Sequence, residues 1–556
     1  MPSFSYPESG DDTVSKRWDI MSKKNHVGKE NKPRVYTEQE LHLAGLTLTE
    51  IEAGVDVFKA IRHHPLPDGA GFLSKHTLIT AYRHQVRDGL RKEDPLLFKK
   101  IRLKPMRTMS GVTTVTVLTK PFPCPGNCIF CPDYEEMPVS YLPDEPGAMR
   151  ALFHAYNPFT QVDSRIDALH EIGHPTDKIE LLILGGSWTA YDHDYQTWFI
   201  KRCFDAMNGV EANSLEEAQQ INQGAKHKNV GLVLETRPDL ITTDELARMR
   251  KFGVTKVQLG IQSLDDKILK LNSRGHTVLQ ALKGVALLRS AGFKIVLHWM
   301  PNLLGSTLDS DREDFKHLWT NFCPDELKIY PTQLLENTGL HEVWKRGEYT
   351  PYSTEELIQL IADVKTTIPR YCRVNRVIRD IPSSNVVAGN RRTSLRQDIQ
   401  NELARRGERC SCIRCREVKG QEIDIRSLVM KDLVYSSNGC EEHFISFNTP
   451  DDSLAGFLRL SLPGSEALDP DIDELEGAAM IREVHIYGES LPVGLEKTGA
   501  AQHAGLGTAL LVEAERISKE HSYPKLAVIS AIGTRGYYQD RGYQKGDLYH
   551  IKDLLL

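Results

Sequence analysis

No stretch of this chain approaches 18 consecutive apolar residues, so a membrane-spanning helix is excluded. The opening, MPSFSYPESGDDTVSKRWDIM, lacks an apolar core, and a secretory signal is not expected. There is no internal repeat and no low-complexity tract, which sets aside solenoids and extended disordered arrays. No Gly-rich dinucleotide fingerprint follows any strand-like run. The formal net charge of −6 gives no global mark of a nucleic-acid binder, although a sum can hide local patches. The expected location is the cytoplasm, where disulfides are disfavoured, so the ten cysteines are read as metal ligands or buried thiols.

With 556 residues, 40% hydrophobic and 26% charged, the chain is too long for one core and has ordinary globular composition, so two to four domains are expected. Residues 1–80 read as a polar leader joined to a small helical region. Residues 83–107 carry nine Lys/Arg against three Asp/Glu, and the basic segment 81–110 is a candidate RNA contact. From 111 to 370 the texture changes to short β-branched runs: VTTVTVLT, KIELLILGG, GLVLET, KVQLGIQS, KIVLHWMP and ELKIYP. Helix-length gaps separate them. Six such alternations predict a parallel sheet with crossover helices, an open or partial barrel with its site at the carboxyl ends of the strands. Residues 371–425 read as an arginine-rich connector, and 426–556 as a second α/β domain containing the amphipathic helix GLGTALLVEAERISKEH.

Six cysteines fall in two tight clusters, Cys124/Cys128/Cys131 and Cys410/Cys412/Cys415. The first trio sits just after the first strand. Zinc would normally close with four ligands, and a knuckle borrowing a distant fourth ligand is the competing reading. Three thiolates on an iron–sulfur cube leave one iron open to substrate. Gly185 and Gly186 end the second strand and would let backbone approach a ligand closely. Later strands carry polar residues where a closed core wants apolar ones: Glu235, Gln258, Gln262, His298, Lys328 and Tyr330. Gln258 and Gln262 share a face, as do Lys328 and Tyr330. In the second domain, Gln502-x-x-Gly505-x-Gly507 opens a helix, a natural anion cradle.

Cys-x3-Cys-x2-Cys after the first of six (βα) units resembles the radical S-adenosylmethionine superfamily. The strand REVHIYG, the glycine loop and GYYQDRGY resemble the GCN5-related acetyltransferase fold. MRALFHAYNPF, LETRPD, RGHT, LKIYPT, RVNRVIRDIP, REVHIYG and GTRGYY, in this order, resemble the catalytic subunit of Elongator from about residue 100 onward. The resemblance implies an α/β chain: a partial (βα)6 radical-SAM barrel, a small zinc-binding connector, then an acetyltransferase domain. It implies a tRNA uridine acetyltransferase that places a carboxymethyl group on carbon 5 of the wobble uridine in the anticodon stem-loop of tRNA. The implied cofactors are a 4Fe-4S cluster on Cys124, Cys128 and Cys131, S-adenosyl-L-methionine beside Gly185, Gly186 and Gln262, and acetyl-CoA, with an external electron donor. Implied coenzyme contacts are Lys178, Glu483, Val484, His485, Ile486, Gln502, Gly505, Leu506, Gly507, Thr508 and Tyr538. Tyr537, Tyr538, Lys328, Tyr330 and Glu235 are the expected catalytic residues.

Animal and fungal members space the first cysteine further out and lack CSCIRC. The short spacing here matches bacterial and archaeal members, so the other Elongator subunits are not expected to be required; a homodimer is left open. Zn2+ is expected on Cys410, Cys412 and Cys415, with Cys372 the first choice of fourth ligand, then Cys440 or His443. Residues 370–419 hold thirteen Lys/Arg against five Asp/Glu, a second candidate RNA surface. A lysine acetyltransferase whose barrel only binds is the rival reading, with Glu483 or His485 as its base.

Overall fold

A computed structural model of the chain describes residues 36–67, 71–104, 108, 111–419, 423–487 and 505–555. Four helices come first: α1 (Glu38–Glu52), α2 (Val57–His63), α3 (Lys75–Arg87) and α4 (Pro95–Ile101). α1 starts on a capping box, in which Thr37 and Glu40 satisfy each other's backbone N–H groups. The four bury a small core of their own around Leu48, Ile51, Leu78, Tyr82 and Leu97. They also lean on the barrel, where Arg83 Nη2 donates to the backbone oxygen of His170 at 2.6 Å. The helical region is thus larger and better packed than a leader.

The first sheet is wholly parallel, in sequence order. Its strands are β1 (Thr113–Leu118), β2 (Lys178–Leu184), β3 (Lys228–Thr236), β4 (Lys256–Gln262), β5 (Lys294–Trp299), β6 (Glu326–Ile329) and β7 (Arg373–Arg376). The first six answer the β-branched runs. β7, with sequence RVNR, adds a seventh. Helices α5 (Pro158–Glu171), α6 (Val278–Ser290) and α7 (Leu395–Arg405) pack around the sheet's outer side among others, leaving an open half-barrel.

The second sheet joins β8 (Val429–Ser437), β9 (Cys440–Asn448), β10 (Leu454–Pro463), β11 (Ala478–Ile486), β12 (Lys525–Val528), β13 (Gln544–Lys545) and β14 (His550–Asp553) in the order β8-β9-β10-β11-β12-β14-β13. All its pairs are antiparallel except β11–β12. That parallel pairing covers only Ala478–Ile481, so β11 runs on past the end of its neighbour. α8 (Leu506–Glu520) packs against β10 and β11.

The arginine-rich segment differs from a coreless connector. α7 buries Leu395, Ile399 and Leu403, and Cys410, Cys412 and Ile413 are buried in the main core. Its arginines are largely tied down, Arg373 to Glu417, Arg379 to Glu145, Arg405 to Glu402 and Arg406 to Asp363. Among the described residues no helix is long and apolar enough to cross a membrane.

Candidate functional site

Parallel strands place their two ends in different places. The turn after β1 carries the first cysteine trio, so the trio sits at the carboxyl ends of the strands. A cavity of about 510 Å³ opens beside Cys124, Cys128 and Cys131. Their sulfurs do not gather within 4.8 Å of one another, as those of Cys410, Cys412 and Cys415 do. Sulfurs around one zinc ion stand about 3.8 Å apart, given a metal–sulfur bond of about 2.3 Å. The connector trio therefore has single-ion dimensions, whereas in the barrel trio Cys128 and Cys131 are hydrogen-bonded to each other and the three do not gather about one point.

Cationic side chains face the barrel trio. Arg274 Nη1 donates to Cys128 Sγ at 3.4 Å, and Arg237 Nη2 donates to the Arg274 backbone oxygen at 3.0 Å. The hydrogen bond from Cys131 pulls the Cys128 thiol well below its ordinary pKa; burial opposes this and Arg274 adds to it. Gln262 ends β4 with φ 68°, and its buried Oε1 has no hydrogen-bond partner while its side chain lines the main cavity. A strained residue with an unanswered acceptor at this depth suits a polar ligand.

Gly185 and Gly186 line neither cavity. Gly185 has φ 133°, and a Cβ there would run into Thr119 on the neighbouring turn. Packing of the chain on itself explains this glycine without a ligand.

The main cavity, about 1830 Å³, runs from Cys131 through the half-barrel to the second sheet. Its middle is the polar set expected from the strands. Gln258 Oε1 accepts from His298 Nε2 at 3.0 Å and from Lys328 Nζ. His298 Nδ1 lies 3.8 Å from Glu235, and its ring meets Tyr330 edge-on at 5.4 Å. Burial, with Lys328 close by, drives His298 well below its ordinary pKa, so it is neutral.

At the far end the cavity is lined by Lys178, Glu483, Val484, His485, Ile486, Gly505, Gly507, Thr508, Tyr537 and Tyr538. Leu506 instead turns into the core, and Gln502 falls outside the described residues. Lys178, Lys228, Lys256 and Lys294 are the first residues of β2 to β5, so their end of the barrel is the one opposite the cysteines. Gly505 caps α8 with φ 75°, a conformation side chains resist, which turns the loop into the helix. Lys294 Nζ holds Glu483 at 3.1 Å and Arg459 Nε holds it at 3.0 Å. Burial pushes Glu483 up, but Lys294, Arg459 and Lys256 outweigh it and keep it ionised. Burial pushes His485 down to about 4, leaving it neutral beside Phe457 and Tyr487.

Comparison with known proteins follows the same division. The Radical SAM superfamily matches residues 123–318, and the Radical_SAM C-terminal domain matches residues 324–405. The tRNA uridine(34) acetyltransferase of Dehalococcoides mccartyi is 44% identical over 81% of this chain and 99% of its own. The chain belongs to the tRNA uridine(34) acetyltransferase and Elongator complex protein 3 family. Elongator complex protein 3 of Mus musculus is 39% identical over 83% of this chain and 87% of its own. The solved structure of the archaeal Methanocaldococcus infernus Elp3 with an N-terminal deletion has a TM-score of 0.70, 39% identity, and covers 80% of this chain and 99% of that one.

For this family member the structure brings the barrel residues and the second-sheet residues to one cavity, which sequence spacing did not reveal. It also adds residues absent from the sequence expectation. Arg237 lies in LETRPD and Arg274 in RGHT, strings that carried the resemblance but no role. Arg541 stacks on the Tyr537 ring at 3.7 Å and donates to Thr508 Oγ1 at 3.2 Å. Cys372 is fully buried, but its sulfur is not grouped with the connector trio. Cys440 and His443 belong to β9, where His443 Nδ1 is engaged by Asp432 at 2.6 Å. None of these three is grouped with Cys410, Cys412 and Cys415, so none completes the set around the connector trio.

Proposed function

We propose that this chain is a tRNA-modifying acyltransferase that uses acetyl-CoA to place a carboxymethyl group on carbon 5 of the wobble uridine. It works in the cytoplasm without other Elongator subunits. The observation that carries the reading is the single cavity joining the cysteine turn at one end of the barrel to the glycine loop at the other. The family membership supports the substrate class, because the relatives are named for it.

Cys124, Cys128 and Cys131 would hold a 4Fe-4S cluster. With S-adenosylmethionine, such a cluster supplies a hydrogen-abstracting adenosyl radical. Arg237 and Arg274 offset the charge of its thiolates. Gln262 orients a polar ligand with its unanswered Oε1. Backbone N–H groups at the start of α8 receive phosphates of the coenzyme, and Glu483–Ile486 offer backbone beyond the end of β12 to its arm. Tyr537, Tyr538 and Arg541 enclose the thioester end. Lys328, Gln258 and His298 form a fixed polar relay in the lumen, with Glu235 and Tyr330 beside it. Cys410, Cys412 and Cys415 would hold a Zn2+ ion, which would tie α7 to the barrel. Exposed Arg391, Arg392 and Arg409, with Lys92, Lys99 and Lys100, supply phosphate contacts for tRNA.

The locked state of Glu483 and the low basicity of His485 disfavour the lysine acetyltransferase alternative, which needs a free general base. The test is anaerobic incubation of the full chain with reductant, S-adenosylmethionine, acetyl-CoA and an anticodon stem-loop RNA, followed by nucleoside mass spectrometry. Carboxymethyluridine is expected, and Cys128→Ala abolishes it together with the iron–sulfur absorption. Unmodified uridine in the wild-type reaction, with iron and acetyl-CoA bound, overturns the reading.

A further inference from the structure

Away from the cavity, three side chains converge where β9 meets the end of α8. Glu441 and His443 stand two apart on β9, and His521 is the C-cap of α8. Their ligand atoms lie within 4.8 Å of one another. Both imidazole Nε2 atoms approach Glu441 Oε1, each at 3.2 Å. We propose that Glu441, His443 and His521 form a divalent transition-metal site of the zinc class, separate from the cysteine trios.

The case rests on where the other ring nitrogens go. His443 Nδ1 donates to Asp432 Oδ2 on β8 at 2.6 Å, and His521 Nδ1 donates to the Ile517 backbone oxygen at 2.9 Å. A neutral ring with its Nδ1 hydrogen so engaged presents a bare lone pair at Nε2. With both rings neutral, two lone pairs and a carboxylate oxygen meet at one point, which either a metal ion or a shared proton must answer. Metal-ligating histidines are commonly fixed this way, with carboxylate or carbonyl behind the ring. Size fits as well. Ligands about 2.0–2.1 Å from a tetrahedral ion stand roughly 3.3 Å apart, close to the two 3.2 Å edges. Two imidazoles and one carboxylate suit zinc and exclude the oxygen-only preference of calcium or magnesium.

An ion here would clamp the C-terminal end of α8 to β9, with Asp432 drawing in the edge strand β8. The N-terminal end of the same helix presents the glycine loop to the cavity. The site is therefore structural, bracing the far end of the coenzyme-facing helix.

The probe is Zn2+ alone, added to full-length protein with both cysteine trios intact and then dialysed. Metal analysis of the wild type is expected to give one zinc per chain more than His521→Ala, at equal iron content. His521 is half-exposed at a helix end, so its loss leaves the core in place. Asp432→Asn, which removes only the support behind His443, is expected to weaken zinc about 10- to 100-fold. Zn2+ should raise the melting temperature of the wild type and not of His521→Ala. Equal zinc content and equal zinc affinity in the wild type, His521→Ala and Glu441→Gln would overturn the site and leave a proton-bridged cluster in its place.

Discussion

Asp325 precedes β6 and is fully buried, yet it is the meeting point of the two sheets. Arg482 of β11 donates to its oxygens at 3.0 and 2.5 Å, Arg459 of β10 lies at 3.4 Å, and the Ile295 N–H adds a bond at 2.9 Å. Burial pushes the carboxyl up, but Arg482, Arg459 and Arg289 outweigh it and hold it below its ordinary range. Asp325→Asn keeps the shape and removes the charge. Removing one member of a buried pair costs about 3–5 kcal/mol, because the partner charge is left unanswered. Here Arg459 keeps Glu483 at 3.0 Å and Arg482 keeps Glu442 at 3.6 Å, so the low end, about 3 kcal/mol, applies. Thermal melting followed by circular dichroism should fall by roughly 2–3 °C, because the unfolding entropy of a 556-residue chain makes 1 kcal/mol worth about 1 °C. Adding Arg482→Met should recover much of that, since removing both members together is close to neutral. The sign with pH follows from the depressed folded pKa. The stabilisation is complete above the unfolded value near about 3.9 and is lost as pH falls through the folded value, so wild type and variant converge only below about pH 4. A drop under about 1 °C, or a double variant that loses the sum of both single losses, would refute the account.

Gly507→Ala puts a methyl 2.7 Å from the Tyr537 hydroxyl, whose ring Arg541 holds in place. Calorimetry should show acetyl-CoA binding weakened about tenfold or more, about 1.4 kcal/mol, with melting nearly unchanged; unchanged affinity would remove this loop from the coenzyme site. Asp311 is pushed up to about 7 by burial, despite bonds from the Asn302 N–H at 2.8 Å and the Tyr352 hydroxyl at 3.0 Å. For a carboxyl raised on folding, stability declines as pH rises from the unfolded value near about 3.9 through the folded one. Asp311→Asn should therefore melt higher than wild type at pH 8, with the gap closing toward pH 5; a pH-independent gap would contradict it.

The strands of the half-barrel were legible because each is a short β-branched run set off by a helix-length gap. β7 was not, because RVNR has a single apolar residue, and pairing with β6 rather than composition makes it a strand. The cysteine turn was legible from spacing, whereas its cationic surroundings were not: Arg274 reaches Cys128 across 146 residues. Charge misled where it was buried. Arg289, Arg459 and Arg482 are among the largest fully buried side chains, and in sequence they look like any solvated arginine. The connector arginines erred the other way, since clustering suggested free positive surface while acidic partners from Glu145 to Glu417 occupy many of them. Gly185 shows a third kind of ambiguity, because a glycine demanded by packing and one demanded by a ligand read alike.

The charges at the foot of the barrel argue for the kind of chemistry the cavity supports. Lys256 answers both Glu180 at 2.8 Å and Glu326 at 2.9 Å, and Lys294 answers Glu483. Burial lowers Lys256, but the two glutamates outweigh it and keep it protonated. Glu180 and Glu483 are held below their ordinary pKa by these cations and Glu326 is paired with Lys256, while the nearby His485 is neutral and weakly basic. Such a set can bind and orient an anionic coenzyme, but it offers no proton acceptor poised to activate an incoming amine. The reaction proposed above, at the methyl carbon of the acetyl group, asks for no base here. The fixed ion pairs then help keep the two halves of the cavity aligned, beside the apolar core that also runs between the two sheets.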